Sequence, residues 1–352
     1  MSRKKEEINE VPLFCDALLK RAVDLGASDI YLLPGAEETA FRCRVNGIQH
    51  DLDRVPAAFG VQCTARFKVM AGMLSYRSQI AQDGAIRHVP GLGKVEFRVA
   101  SMPTIHGERL TIRLFDRRFG QESLDELGFQ DEMTATLRAI LKRPTGLVIL
   151  TGPTGCGKTT TIYAMLRELL VREEDPSSII TIEDPVECEI DGISQISLPR
   201  GDAEWNYAAA LRSALRHDVK TLMIGEMRDR EVVKVALDAA LTGHRIISTY
   251  HAGDIPSVFA RLLHQGFEPF LVGAAVSGVV AQRLVHTADG NGRIPIAAAL
   301  AVTDQWRDFL AEAPSPAAIR DRISDTPEAD LESVARSLSE TGIILEKEVY
   351  LL

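Results

Sequence analysis

The run Gly146-Leu147-Val148-Ile149-Leu150-Thr151, continuing into Gly152-Pro153-Thr154-Gly155-Cys156-Gly157-Lys158-Thr159-Thr160, decides the fold. Five apolar or glycine positions in a row read as a strand buried on both faces. A helical segment, Thr159 to Leu170, leaves the far side. Between them lies a complete G-x-x-x-x-G-K-T. Its glycines let backbone N–H groups turn inward around phosphates, and the helix start adds its dipole. Lys158 is then placed to reach the β- and γ-phosphates, and the Thr159 hydroxyl to bind Mg²⁺. A chance match in a glycine-rich turn would lack the flanking strand and helix. The expected ligands are therefore ATP and Mg²⁺. Cys156 occupies a variable position of the loop and reads as an ordinary thiol. The helix start and Lys158 beside it keep a redox role open.

Downstream the strand–helix alternation continues. Ser178–Ile182, Thr221–Ile224 and Arg245–Thr249 are apolar strands, separated by helical segments at Tyr207–Arg216 and Arg230–Leu241. That order implies a mostly parallel sheet with helices on both faces. Ligands of such sheets bind beyond the carboxyl ends of the strands. Thr181-Ile182-Glu183-Asp184-Pro185-Val186-Glu187 follows one strand directly, so Glu183 and Glu187 are candidates to orient or deprotonate an attacking water. An acidic solvated turn is the competing reading. Glu226 follows Leu222-Met223-Ile224-Gly225 and fits the strand-end acid that holds a Mg²⁺ shell. Thr242-Gly243-His244 and Ser248-Thr249-Tyr250-His251 bracket the last strand. His244 and His251 are candidates for γ-phosphate sensing, against the common structural histidine.

Upstream lies a second α/β region. Leu13, Phe14, Ala17, Leu18, Ala22 and Leu25 recur at helical spacing, with Gly26 as the stop. Strands are expected at 28–33, 40–45 and 48–52, with Asn46-Gly47 as a hairpin turn. Further strands are expected at 85–89, 94–99 and 110–115, with 101–109 as a loop. The polar stretch 116–127 reads as the boundary between the two regions. Arg98, Arg109 and Arg113 supply cations that triphosphate chemistry needs. Solvated strand faces explain them equally well on composition alone.

Bulk properties narrow the class. The 352 residues carry a net charge of −9, with 6% aromatics. That balance disfavours a polyanion partner or a base-stacking platform, so no direct nucleic acid is expected. The five cysteines, Cys15, Cys43, Cys63, Cys156 and Cys188, form no C-x-x-C pair and read as reduced thiols. No apolar run approaches the roughly 20 residues of a membrane span.

These boxes together resemble the secretion ATPase superfamily, nearest to the motors of type II secretion and type IV pilus assembly. The resemblance covers about Gly26 to Arg283. It rests on Gln82-Asp83-Gly84, Arg98 to Pro103, His106-Gly107-Glu108-Arg109, Thr151 to Thr161, Thr181 to Glu187, Gly225 to Asp229, Leu241 to His244 and Ala281-Gln282-Arg283-Leu284. It implies a PAS-like α/β domain over 1–116, a linker over 117–127 and a RecA-like ATPase domain over 128–352. It implies a homohexamer with nucleotide between domains and neighbours. Glu187 would activate water, Glu226 would be the Walker B acid, and His244 and His251 would form the His box. Arg98 and Arg113 match arginines that reach the γ-phosphate from the N-terminal domain. The expected partner is an inner-membrane platform protein. The expected place is the cytoplasm, at the inner face of the membrane and peripheral through partners.

The chain departs from the family pattern. It has no cysteine after Cys188, so the family's four-cysteine zinc module is absent. Tyr250-His251-Ala252 replaces Leu-His-Thr, and 303–352 matches loosely. A retraction-type motor of the same superfamily, a RecA-like nucleic-acid motor and a non-hydrolysing scaffold are the alternatives. His106 to Arg109 favours assembly. The intact Lys158, Glu187 and Glu226 disfavour a scaffold.

Overall fold

The computed structural model describes residues 2–93, 95–116, 122–172, 175–198, 204–290 and 292–351, with no side-chain detail for 2–9, 115 and 116. Lys94, Arg117, Arg118 and Gln121, on which expectations for a strand and a linker fell, lie outside the described residues. The chain divides into two compact units, Met1–Phe119 and Gly120–Leu352.

The first unit is an antiparallel sheet with two helices. Its strands are β1 (Asp29–Pro34), β2 (Glu38–Val45), β3 (Ile48–Pro56), β4 (Gln82–Ile86), β5 (Val95–Thr104) and β6 (Gly107–Asp116), in the order β3-β2-β1-β6-β5-β4. The helices α1 (Ser2–Asp24) and α2 (Ala57–Met70) bury Cys15, Leu18, Leu19, Cys63 and Phe67 in one cluster with Ile30, Leu32, Phe97, Leu110 and Ile112. The period of two then sends Arg98, Arg109 and Arg113 to the other, polar face. The expected loop over 101–109 is instead the end of a hairpin, with Thr104 opposite Gly107. Pro103 hides it from sequence. Proline is tolerated there because β4 pairs with β5 only as far as Gln82 opposite Ser101, leaving that side of β5 unpaired beyond it. The expected strand 85–89 ends earlier, at Ile86.

The second unit holds the phosphate loop. Its strands are β7 (Gly146–Thr151), β8 (Ile179–Glu183), β9 (Ser194–Ser197), β10 (Thr221–Ile224), β11 (Arg245–Tyr250), β12 (Val276–His286) and β13 (Arg293–Ala301). They form one sheet in the order β13-β12-β7-β11-β10-β8-β9, parallel except for the edge strand β13. The helices are α3 (Asp131–Leu141), α4 (Lys158–Arg172), α5 (Tyr207–Ala214), α6 (Arg230–Leu241), α7 (Ile255–His264), α8 (Pro269–Ala275), α9 (Asp304–Ala311), α10 (Pro316–Ser324), α11 (Leu331–Glu340) and α12 (Glu346–Val349). Each strand except the edge strand β9 feeds two cores. In β7, Leu147 and Ile149 join the cluster under α5 to α11, while Val148 and Leu150 join the one under α3 and α4. Burial on both sides is why these strands read as unbroken apolar runs. The C-terminal ends of the parallel strands, β7 to β12, therefore open on one edge of the sheet.

Candidate functional site

The phosphate loop runs from Gly152 to Gly157, and α4 starts at Lys158. Gly152 has φ +143°, and a Cβ there would lie 2.3 Å from the carbonyl oxygen of Gln282. Only glycine satisfies both constraints. Gln282, buried on β12, donates from Nε2 to the Cys156 carbonyl at 2.8 Å and accepts from the Thr161 hydroxyl at 2.9 Å. One amide thus ties the loop to the first turn of its helix. Thr151 Oγ1 donates to Ala252 O at 2.6 Å, which ties the same loop to the end of β11. Lys158 Nζ donates to the carbonyls of Gly152 and Pro153, both at 2.8 Å. Burial pushes the Cys156 thiol up, against the smaller pull of Lys158 and Arg283. That is the opposite of an activated thiol.

Beside the loop the next strands deliver their acids. The Glu183 carboxylate is buried and accepts from the Tyr163 hydroxyl, from Thr181 Oγ1 at 2.5 Å and from Gln195 Nε2 at 3.2 Å. Burial raises its pKa, and the three donors oppose that. Tyr163, on α4, accepts in turn from the backbone N–H groups of Glu187 at 3.2 Å and Cys188 at 3.4 Å. Its hydroxyl therefore links the phosphate-loop helix to the Glu183 carboxylate and to the backbone at Glu187. Glu187 itself is exposed at the strand-end rim.

Glu226 follows β10 after Gly225, where a Cβ would lie 2.8 Å from the Tyr207 hydroxyl. That contact explains the glycine before the acid. Glu226 Oε2 lies 3.1 Å from His251 Nε2, and Oε1 pairs with Arg228. Arg228 also approaches Asp184 at 3.5 Å and lies over the Tyr207 ring. Burial raises the Glu226 pKa, but Arg228 and His251 outweigh it and leave the group below the usual range. Glu226 is charged at neutral pH, as a metal-shell acid must be.

His244 is placed elsewhere. It precedes β11, and its carbonyl accepts from Gly146 N at the start of β7. A six-residue strand separates it from His251, roughly 20 Å at ~3.3 Å per residue. Its ring meets the Ala239 carbonyl at 3.1 Å and the Thr242 hydroxyl at 3.4 Å, closing the turn after α6. Within this unit His244 does not meet the other candidates, because the strand between the two histidines crosses the whole sheet.

In the first unit, Arg98 stands directly opposite Arg113, and Arg113 opposite Asp29. Arg113 Nε pairs with Asp29 at 2.9 Å, and Arg109 lies over the Tyr31 ring. Like charges directly opposite in a sheet are unfavourable. The polar face sets two arginines side by side, with the Asp29 carboxylate on Arg113.

The sequence reading missed Tyr163 and Arg261, and quoted Gln282 and Arg283 within a motif without giving them a role. Arg261 Nη1 donates to His251 O at 2.5 Å, and Arg283 Nη2 to Gly253 O at 2.7 Å. Both line a groove of about 780 Å³ beside the phosphate loop, with His251, Leu284, Arg293 and Leu351. The five cysteines are free and buried. Among the described residues no helix is long and apolar enough to cross a membrane.

A parallel sheet with a glycine-rich loop at its open edge, strand-end acids beside the loop, and a lysine at the helix start define a RecA-like P-loop protein. The chain belongs to the type II/IV secretion system protein family, whose model matches residues 4–327. It is 40% identical over 271 residues to the type II secretion system protein HxcR of Pseudomonas aeruginosa, covering 77% of this chain and 57% of that one. It is 41% identical over 275 residues to the type IV pilus assembly ATPase PilB of Myxococcus xanthus, covering 78% and 47%. The chain thus spans about half the length of these curated relatives. The fold matches the X-ray structure of the Legionella pneumophila ATPase DotB with a TM-score of 0.83 and 24% identity, over 97% of this chain and 95% of that one.

Proposed function

We propose that this chain hydrolyses ATP and drives mechanical work in a type II secretion or type IV pilus assembly machine. The observation that carries this is the convergence, on one sheet edge, of the phosphate loop with Glu187, Glu226 and His251. The names of the relatives, secretion and pilus assembly proteins, support the same reading. Lys158 takes the β- and γ-phosphates, and Glu187 orients the attacking water. Thr159, half-buried at the start of α4, and charged Glu226 offer the hard oxygen donors that Mg²⁺ prefers. Bound there, the ion would neutralise charge developing on the phosphates. Glu183, already saturated by three donors, acts as a brace. Phosphate release assayed with and without Mg²⁺ tests the activity. No ATP-dependent release from the purified chain would reject it.

The wider assignment is part of the same proposal. Residues 1–116 form a PAS-like domain, 117–127 a linker and 128–352 the motor. Six copies form a ring in the cytoplasm, docked on a platform protein at the inner membrane face. Mass photometry with ATP checks the ring, and a particle no larger than a dimer contradicts it. Arg98 and Arg113 stabilise charge on the γ-phosphate. Arg113→Ala is expected to lower kcat on the order of 10- to 100-fold with little change in nucleotide affinity. An unchanged kcat returns Arg113 to a solvated face held by Asp29.

Tyr163→Phe tests the link between α4 and the acids. It removes the donor to Glu183 and the acceptor for the Glu187 and Cys188 N–H groups. A hydrogen bond to a charged group is worth about 1.5–3 kcal/mol. Steady-state kinetics should show kcat down by roughly tenfold at constant KM. A rise in KM alone would mean that Tyr163 only supports nucleotide binding.

A further inference from the structure

The segment beyond β13 is the part of the chain that the family pattern explains least. Its last described residues are hooked onto β12. Thr287 bridges Ile344, and Ala288 N donates to Ile343 O at 2.9 Å. The Glu348 carboxylate is buried, accepts from His286 N at 3.3 Å and lies 3.5 Å from His286 Nδ1. Val349 is buried in the main core. A buried carboxylate is costly unless it is satisfied, so these contacts fix where α12 ends. The fixed end brings Leu351 to the wall of the groove beside the phosphate loop.

The groove changes character along its length. At one end are the loop amides. At the other are Leu284, Leu351 and Arg293. Ala281 stands opposite Thr151 at the loop, whereas Arg293 stands opposite His286. Those five residues of β12 carry the wall roughly 16 Å onward at ~3.3 Å per residue. That span suits an extended nucleotide from its β-phosphate to its base. Arg261 and Arg283 are committed to the carbonyls of His251 and Gly253. Arg293 is exposed, and its guanidinium has no hydrogen-bond or ion-pair partner among the described residues. A planar guanidinium stacks on aromatic faces, and leucines cover them.

We propose that the hooked segment Glu346–Leu351, with Leu284 and Arg293, forms the nucleoside end of the groove, so that the chain discriminates a nucleoside triphosphate from bare polyphosphate. The proposal rests on the reading that the phosphate loop holds ATP. Calorimetric titration of the full chain with ATP and with inorganic tripolyphosphate tests it. Leu351 and Arg293 are exposed, so Leu351→Ser and Arg293→Ala leave the fold intact. Each variant is expected to weaken ATP about tenfold while tripolyphosphate stays within about twofold. Lys158→Ala should weaken both ligands. An unchanged ATP affinity in Leu351→Ser overturns the proposal, as does equal weakening of the two ligands. Wild-type chain that binds neither ligand rejects the phosphate-loop reading instead.

Discussion

Lys158→Ala is expected to reduce ATP turnover at least on the order of 10³-fold while the chain stays folded. The lysine stands at the first position of α4, and its Nζ donates to the loop carbonyls of Gly152 and Pro153 at 2.8 Å, with a long contact to Cys156 Sγ at 3.9 Å. Those bonds hold the ammonium against the phosphate loop. Loop amides and the helix dipole carry partial charges, and Lys158 adds a full one. Alanine is a good helix former, so α4 should persist. The loop also keeps its tie through Gln282 to Cys156 and Thr161. Turnover should vanish in a phosphate-release assay, with a melting temperature within a few degrees of wild type (~3 °C per kcal/mol for a chain of this size). Residual turnover above a tenth of wild type would mean that another cation does this work.

The sheet was legible where burial on two faces left unbroken apolar runs, as in β7, β8, β10 and β11. It was less legible where a strand carries a polar residue for a distant partner. Gln282 interrupts β12, and its reason lies in Cys156 and Thr161, far upstream. Nothing local announces such a contact. Tyr163 was hidden for a similar cause, since on an apolar helix face it reads as core. Its hydroxyl matters only once β8 is placed beside α4. His244 shows that nearness in sequence is not nearness in space. Seven positions from His251 in sequence, it sits at the other end of the strand, because six intervening residues span the sheet. The β5–β6 hairpin escaped notice through Pro103, which is harmless only because the pairing of β4 with β5 ends at Ser101, opposite Gln82.

Glu187→Gln and Glu183→Gln, two substitutions four residues apart, should fail in different ways. Glu187 is exposed at the rim, and its backbone N–H is held by Tyr163. Replacing its carboxylate leaves that backbone bond intact and removes the side chain's basicity. ATP affinity should stay within about threefold, while kcat falls on the order of 10²- to 10³-fold. Glu183 is buried with donors from Tyr163, Thr181 and Gln195 all aimed at it. A glutamine there turns its NH₂ toward at least one of these donors, because it has a single acceptor oxygen. That mismatch costs about 1–3 kcal/mol of stability, since a buried donor is left unmet. The expected signature is a lowered melting temperature with a smaller loss of kcat. A single set of thermal melts and kinetic curves separates the two acids. If Glu187→Gln turns over normally and Glu183→Gln does not, the water is handled inside the Tyr163 network. The exposed carboxylate would then be only a solvated end of the β8 segment.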